Sequence, residues 1–370
     1  MEDIFRFSDD LGPTKIIHVY EPRANLKAVL VVDNVARGPS VGGIRMAVDV
    51  TTEECFRLAR SMTLKNAAAD LPHGGGKVVV VGDPRMPRKQ KEPLIRALAY
   101  ALRKDEEYIY APDMGTNEEC MAWIQDEVGR VVGLPRALGG IPLDEVGATG
   151  FGLRHATDVA LRFCDFKLEG ARLVVQGFGA VGYHAARFLT RKGALLIGVA
   201  DSRGAIHHPQ GLNINALYQL KQEGKSVKDF PDGKSLATDD IIDIECDIWI
   251  PAARPDVIHE KNVDRLKTRL VVEGANIPIS HAAEKLLHER GILCIPDFIA
   301  NAGGVICAAT EYQGLGEREA FQAIEEKIRR NTQEVLDDAK NRRIPPRQAA
   351  VEMATRRVKS AMDFRRYNIM

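Results

Sequence analysis

The sequence predicts an α/β protein of two domains: an N-terminal α/β domain, and a C-terminal doubly wound parallel sheet covered by helices on both faces. Three observations predict it. The chain has 370 residues, 45% hydrophobic and 28% charged, enough to bury two ordinary cores. Beyond residue 150, short continuous apolar runs alternate with helical patterns, at 173–176, 195–200, 246–251, 269–273 and 292–296. Strands buried on both faces of a parallel sheet look like this. Between the halves, 131–150 is rich in glycine and proline and reads as a hinge. The expected domains are 1–140, completed by the last helices at about 330–370, and 141–330.

Within the first domain, 27–33 and 42–50 read as strands from their β-branched content. Thr51 to Glu54 is a helix start with a carboxylate in its first turn, and Cys55, Leu58, Ala59 and Met62 recur at helical spacing. Lys65 falls at the end of that helix. A glycine-rich loop then leads into a strand at 77–82, followed by a helix at about 91–104, the segment 108–116 and a helix at about 117–129. From about Gly316 the chain is helical and charged, in two helices broken by Pro345 and Pro346. The arginine pairs Arg342–Arg343, Arg356–Arg357 and Arg365–Arg366 read as a solvated helix face.

Composition excludes several classes of function. Lysine plus arginine and aspartate plus glutamate both total 51, so no net charge draws the chain to nucleic acid or an anionic membrane. The six cysteines carry no CxxC pair and sit mostly in apolar segments, as reduced core residues do. The nine histidines show no metal-ligand spacing, and His207 and His208 lie in a polar, turn-like stretch. The acidic N-terminus lacks the apolar core of a signal peptide, and no apolar run approaches the ~20 residues of a membrane span. The expectation is a cytoplasmic protein without a metal.

One motif carries a cofactor. Gly177, Gly179 and Gly182 form a GxGxxG directly after a strand, and Val181, Ala185, Phe188 and Leu189 follow at helical spacing. The first glycine permits a tight turn, the second lets backbone meet a pyrophosphate, and the third allows close helix–strand packing. The helix start, with Ala180 and Val181, supplies amides and a positive dipole end. Asp201 ends the next strand, where it would accept from ribose hydroxyls and repel a 2′-phosphate. That favours NAD, although Ser202 and Arg203 follow and could bind the phosphate of NADP. A Walker loop at 73–77 fails, because Val78 stands where Ser or Thr is required and the glycine spacing is wrong.

Two lysines twelve positions apart, Lys65 and Lys77, frame Leu-Pro-His-Gly-Gly-Gly-Lys (71–77). Glycines let backbone approach a ligand, and a lysine held in low-dielectric surroundings can do acid–base chemistry. Together with Ala-Arg-Gly-Pro-Ser-Val-Gly-Gly-Ile-Arg-Met (36–46), Ala-Pro-Asp-Met-Gly-Thr-Asn-Glu, Gly-Ala-Thr-Gly-Phe-Gly, Val-Glu-Gly-Ala-Asn and Pro-Asp-Phe-Ile-Ala-Asn-Ala-Gly-Gly-Val (296–305), this segment resembles the glutamate/leucine/phenylalanine/valine dehydrogenase family. The motifs occur in order over nearly all of the chain past residue 20.

The resemblance implies a Rossmann-type second domain, an active site in the cleft between domains, and NAD(P)-dependent oxidative deamination of an amino acid to its 2-oxo acid and ammonia. Lys65 matches the anchor of the α-carboxylate, Lys77 the donor to the developing oxygen, and Asp113 the acid–base carboxylate. On the residues alone, Lys65 could instead complement a helix end and Asp113 could cap the helix after Thr116. Thr149 matches a residue near the nicotinamide amide, Asn276 and Asn301 match contacts of the nicotinamide ribose or substrate, and Ala252 would lie along the cofactor.

Glutamate-type members of the family hold the substrate's side-chain carboxylate with a lysine and a serine. At those positions this chain has Val41, followed by Gly42, and Ala308. With Ala111 and Val305 they would line an apolar pocket, as in leucine- and phenylalanine-type members, while the surrounding motifs look glutamate-like. The expected substrate is an apolar L-amino acid, branched-chain or aromatic. The alternatives are a glutamate dehydrogenase with another carboxylate partner and a non-catalytic dinucleotide-binding regulator. A homo-oligomer is implied by the resemblance, without its number of subunits.

Overall fold

In the computed structural model, residues 5–365 are described; residues 1–4 and Arg366 of the last arginine pair lie outside them. The chain divides into two units, one made of 1–142, 305–320 and 351–370, the other of 143–304 and 321–350.

The first unit contains β1 (Lys15–Glu21), β2 (Leu26–Asn34), β3 (Ser40–Ala47), α1 (Thr52–Ala68), β4 (Gly74–Val81), α2 (Arg88–Ala101), β5 (Tyr108–Pro112) and α3 (Glu118–Val128). Its sheet runs β1-β2-β4-β3-β5; β4 and β5 lie parallel to β3, and the β1–β2 and β2–β4 pairs are antiparallel. Strand alternation sorts the core onto two faces. Leu30, Ile44, Val78 and Val80 pack with Ile95 and Leu98 of α2 and Met121 of α3, whereas Val31 and Val79 pack with Cys55 and Ala59 of α1. By the same alternation Lys77 shares the α1 face with Val79.

Thr51 caps α1, its hydroxyl accepting from Glu54 N at 3.1 Å. The strand expected over 42–50 stops at Ala47, because a turn must deliver Thr51 to that cap. The glycines at 74–76 are already strand rather than loop. A Cβ on Gly75 would come within 2.0 Å of Thr63 N, so the glycine lets β4 approach α1 rather than a ligand. Arg357 departs from the expected solvated face: its Nη1 donates to Ala67 O at 3.2 Å and Ala68 O at 2.9 Å, satisfying the C-terminal carbonyls of α1.

The second unit carries α4 (Leu143–Val146), α5 (Ala148–Ala160), β6 (Arg172–Gln176), α6 (Ala180–Thr190), β7 (Leu195–Asp201), β8 (Gly204–His207), α7 (Ile214–Gln222), β9 (Lys234–Leu236), β10 (Ile248–Pro251), β11 (Leu270–Val272), α8 (His281–Glu289), β12 (Leu293–Ile295) and α9 (Asp297–Ala300). Its sheet order is β12-β11-β10-β6-β7-β8-β9, with the order reversing at β6. Ligands of doubly wound sheets bind at such a switch point. The five strands expected from the sequence are parallel; β8 and β9 add an antiparallel edge. His207 ends β8 instead of lying in a turn. The remaining helices, α10 (Gly303–Tyr312), α11 (Glu317–Arg342) and α12 (Pro346–Met362), each cross from one unit to the other along the chain.

Candidate active site

In the first unit, adjacent parallel strands bring three charged side chains together. Lys77 Nζ on β4 donates to Asp113 Oδ2, just past β5, and Arg45 Nε on β3 donates to the same oxygen at 3.3 Å. Arg45 also holds Glu54 at 2.8 Å. Burial would raise the Asp113 carboxyl, but the charges of Lys77 and Arg45 outweigh it and hold the group below the usual carboxylate range. Gly43 lies beneath the pair: a Cβ there would sit 2.6 Å from Asp113 Cβ and 3.3 Å from Lys77 Nζ.

Asp113 does not cap α3. That cap is Asn117, whose Oδ1 accepts from Cys120 N at 3.1 Å. The turn bearing Asp113 is fixed by Thr116, whose Oγ1 accepts from Asp113 N at 3.1 Å and donates to Ile44 O at 2.8 Å. Arg45 was missed from sequence, although it stands inside Gly-Gly-Ile-Arg-Met. Its signal was a lone charge among apolar strand residues.

Lys65 is half-buried in the last turn of α1. The helix is held on the sheet by Arg60, whose guanidinium donates to both oxygens of the fully buried Asp33 at 2.9 and 3.0 Å. Thr63 adds a third hydrogen bond to Asp33, at 2.5 Å.

A narrow apolar niche, with no room for a water-sized sphere, lies in the same unit, lined by Val41, Leu71, Val132, Val305, Ala308 and Ala309. Asn66, His73 and Tyr312 complete the lining, and none of the described lining residues is a lysine or arginine. Val41 and Ala308 share a buried cluster with Ile109 and Val132, against which Ala111 packs. Gly42 is used by the backbone: a Cβ there would strike Gly76 O, and its own carbonyl accepts from Tyr108 Oη at 2.5 Å. Glu311 also escaped the sequence reading. Its Oε1 accepts from Gly133 N and Leu134 N and its Oε2 from Ile141 N, at 2.8, 3.1 and 2.9 Å, tying down the first half of the glycine- and proline-rich stretch.

In the second unit, each glycine of the motif has a distinct role. Gly177 has φ +106°, and a Cβ on it would lie 2.7 Å from the Ala252 carbonyl. Gly179 faces open space, with nothing within 4 Å of a Cβ. Gly182 packs so closely that a Cβ would meet Gly177 O at 1.9 Å. No side chain caps α6, so the amides that begin with Ala180 and Val181 keep their capacity for an anion. A cleft of about 990 Å³ opens there, lined among others by Gly177, Gly179, Asp201, Ser202, Lys221 and Ala252. These residues fit a dinucleotide.

Asp201 lines this cleft and is already engaged by four donors. Its Oδ1 accepts from Arg203 N and Ser226 Oγ at 2.9 and 2.8 Å, and its Oδ2 from Lys221 Nζ and Val227 N at 2.7 and 3.0 Å. About four lone-pair sites are available on a carboxylate, so a ribose hydroxyl would have to displace a partner already present. Burial would raise its pKa, but these donors bring it down to about 2.

Asn301 is buried, and its Nδ2 donates to Gly274 O, Ala275 O and Asn276 Oδ1 at 3.3, 3.1 and 3.1 Å. It therefore orders the Gly274–Asn276 loop through its amide nitrogen, while its Oδ1 has no hydrogen-bond partner among the described residues. The same loop is held from behind. Asp297 Oδ2 accepts from Ile277 N at 2.8 Å, while Arg347 donates to Asp297, Glu273 and Glu284. Burial pushes the Glu273 carboxyl well above its usual range. Thr149 lies in the first turn of α5, where its hydroxyl would be 3.2 Å from a Cβ on Gly304.

Comparison with known proteins identifies the family. Residues 139–366 match the family described as Glutamate/Leucine/Phenylalanine/Valine dehydrogenase, and residues 13–130 match the Glu/Leu/Phe/Val dehydrogenase, dimerisation domain. A glutamate dehydrogenase of Aeropyrum pernix is 36% identical over 355 residues, spanning 90% of this chain and 85% of the relative. The NAD-specific glutamate dehydrogenase of Staphylococcus aureus is 35% identical over 351 residues, spanning 90% and 84%. Among solved structures, a hetero-hexameric glutamate dehydrogenase from Thermus thermophilus in a Leu-bound form aligns with a TM-score of 0.85 and 28% identity. That alignment covers 96% of this chain and 91% of the other.

Proposed function

The chain belongs to the glutamate/leucine/phenylalanine/valine dehydrogenase family, and from that premise we propose that this NAD(P)-dependent amino-acid dehydrogenase acts on an apolar L-amino acid. The observation that carries the proposal is the buried apolar cluster of Val41, Ile109, Val132 and Ala308, whose niche has no lysine or arginine among its described lining residues. A substrate carboxylate buried there would lose its hydration without gaining a counter-ion, which costs several kcal/mol. The relatives named above act on glutamate by name, and that favours a second reading in which glutamate remains the substrate.

In the proposed reaction Lys65 binds the α-carboxylate. Lys77 donates to the oxygen that develops as the substrate's imine is hydrated, and Asp113 exchanges protons with the substrate's amine. The nicotinamide, when bound, supplies hydride chemistry. Arg45 is a positioning residue, holding the Asp113 carboxylate against Lys77. An acid–base pair this specific has no use in a regulator that only senses dinucleotide.

Either dinucleotide suits the second unit. The case for NAD rested on a bare carboxylate at Asp201, yet Lys221 neutralises that charge. A homo-oligomer is supported by the match of 13–130 to a domain described as a dimerisation domain. Six free cysteines support a cytoplasmic location.

The test is reductive amination with ammonia, NADH or NADPH, and a panel of 2-oxo acids. The oxo acids of leucine, valine, phenylalanine, tyrosine and tryptophan are expected to include the best substrate. Faster turnover of 2-oxoglutarate would overturn the proposal in favour of the glutamate reading.

A further inference from the structure

Beside the dinucleotide cleft, two residues that are not glycine carry left-handed backbone: Asp256 has φ +52° and Ile277 has φ +50°. For a β-branched residue such as Ile277 this conformation is sterically costly, and it persists only where the surrounding contacts over-determine it. The two residues are joined, Asp256 N donating to Ile277 O at 2.9 Å. Ile258 N donates to Pro278 O at 3.1 Å, and Ile258 pairs with Ile279 in an isolated parallel bridge, so the two segments run side by side. Asp256 and Val257 line the cleft, following Ala252 and Ala253. The position of that wall therefore depends on what holds Ile277.

A buried ion cluster holds it. Ile277 N donates to Asp297 Oδ2 at 2.8 Å, and Asp297 Oδ1 accepts from Arg347 Nη1 at 3.0 Å. Arg347 is fixed in turn by Glu273, 2.8 Å from Nη2, and by Glu284 at Nε. The Arg347 and Asp297 side chains are only 13% and 8% exposed, so water screens their attraction little. The rigid fork of a guanidinium fixes the carboxylate's orientation as well as its place. The start of the same loop is tied to β10, because Gly274 N and Ala275 N both donate to Pro251 O, at 3.0 and 2.9 Å. Pro251 leads directly into Ala252 at the cleft.

We propose that Arg347 and Asp297 are positioning residues for the dinucleotide: together they hold Ile277 in its left-handed conformation, and Ile277 sets the 253–257 wall of the cleft. The inference concerns the dinucleotide and stands whichever amino acid is the substrate. Without the tether, Ile277 relaxes to negative φ and the wall is in place in only a fraction of the molecules. Apparent affinity then falls by that fraction.

The experiment titrates the full chain with NADH and with NADPH by fluorescence, in a cycle of wild type, Asp297→Ala, Ile277→Gly and the double variant. Asp297→Ala removes the tether but leaves Arg347 paired with Glu273 and Glu284, and it lowers the excess of buried negative charge. Its fold is therefore expected to survive even if Arg347→Met does not fold. Asp297→Ala should raise Kd by roughly tenfold. In the Ile277→Gly background, where positive φ costs little, the same substitution should raise Kd by roughly threefold or less. KM for the dinucleotide should rise with Kd while kcat changes little, because saturating dinucleotide repopulates the competent wall. A protein that was merely less stable would instead show fewer binding sites at an unchanged Kd. Arg347→Met, where it folds, should behave as Asp297→Ala does.

A Kd for Asp297→Ala within about twofold of wild type for both dinucleotides would overturn the inference. An equal rise in the wild-type and Ile277→Gly backgrounds would overturn it as well, since the effect would then not run through Ile277.

Discussion

Replacing Lys77 with methionine keeps the length and apolar stem of the side chain while deleting its charge. The Lys77 side chain is 7% exposed and that of Asp113 is 21% exposed, so the pair is largely out of water. Breaking such a pair typically costs about 3–5 kcal/mol, because the surviving charge is left buried. Here Arg45 stays 3.3 Å from the same carboxylate oxygen, and a fifth of the Asp113 side chain reaches solvent. About 1–3 kcal/mol of destabilisation at neutral pH is therefore expected for Lys77→Met.

The pH dependence follows from the depressed Asp113 pKa in the folded protein. A depressed carboxyl contributes stability that is present above its unfolded pKa of about 4 and is lost as pH falls through the folded value. Without Lys77, burial acts against only Arg45 and the backbone hydrogen bond from Met114, and the folded pKa moves up. The gap in melting temperature between wild type and variant should therefore be widest at pH 7 and narrow below pH 4. Turnover should fall by about 10²–10⁴, the range for loss of a positioned acid or base, with dinucleotide binding intact. Turnover within threefold of wild type would refute Lys77 as the donor. A melting-temperature gap that does not change with pH would refute the coupling to Asp113.

Two further perturbations address selectivity. Val41→Lys with Ala308→Ser introduces a cation and a hydroxyl into the niche and should raise activity on 2-oxoglutarate relative to the apolar 2-oxo acids; an unchanged ratio would remove these positions from specificity. Lys221→Met leaves the Asp201 charge unbalanced, and the NADP-to-NAD ratio of kcat/KM should fall by roughly tenfold, within the several kcal/mol available to neighbouring charges. A constant ratio in cofactor kinetics would show that Lys221 does not tune the 2′-phosphate.

The parts of this protein that were legible in the sequence are those whose physics is local. The tight turn at Gly177 and the close packing at Gly182 depend on a strand, a turn and a helix within a dozen residues, and both follow from the order of the letters. Thr51 as a cap and the apolar runs of β6, β7, β10, β11 and β12 are read the same way. The short edge strands β8 and β9 were not, since a three- or four-residue strand has too little pattern to separate from a turn.

Sequence alone also determined which residue types the chemistry draws on, and that no lysine or serine occupies positions 41 and 308. Partners were decided only in three dimensions. Asp201 was expected to present a carboxylate to ribose, but donors twenty and more residues further along the chain, from Lys221, Ser226 and Val227, fill it. Arg347 closes on three carboxylates 50 to 74 residues before it, and Arg45 meets Asp113 across 68 residues. Asn66 Nδ2 and His73 Nδ1 are taken up by the carbonyls of Gly74 and Pro39, which leaves Asn66 Oδ1 and His73 Nε2 buried without partners among the described residues. A side chain's identity is written in the sequence, but the lone pairs it has left to offer depend on which neighbours the fold has already given it.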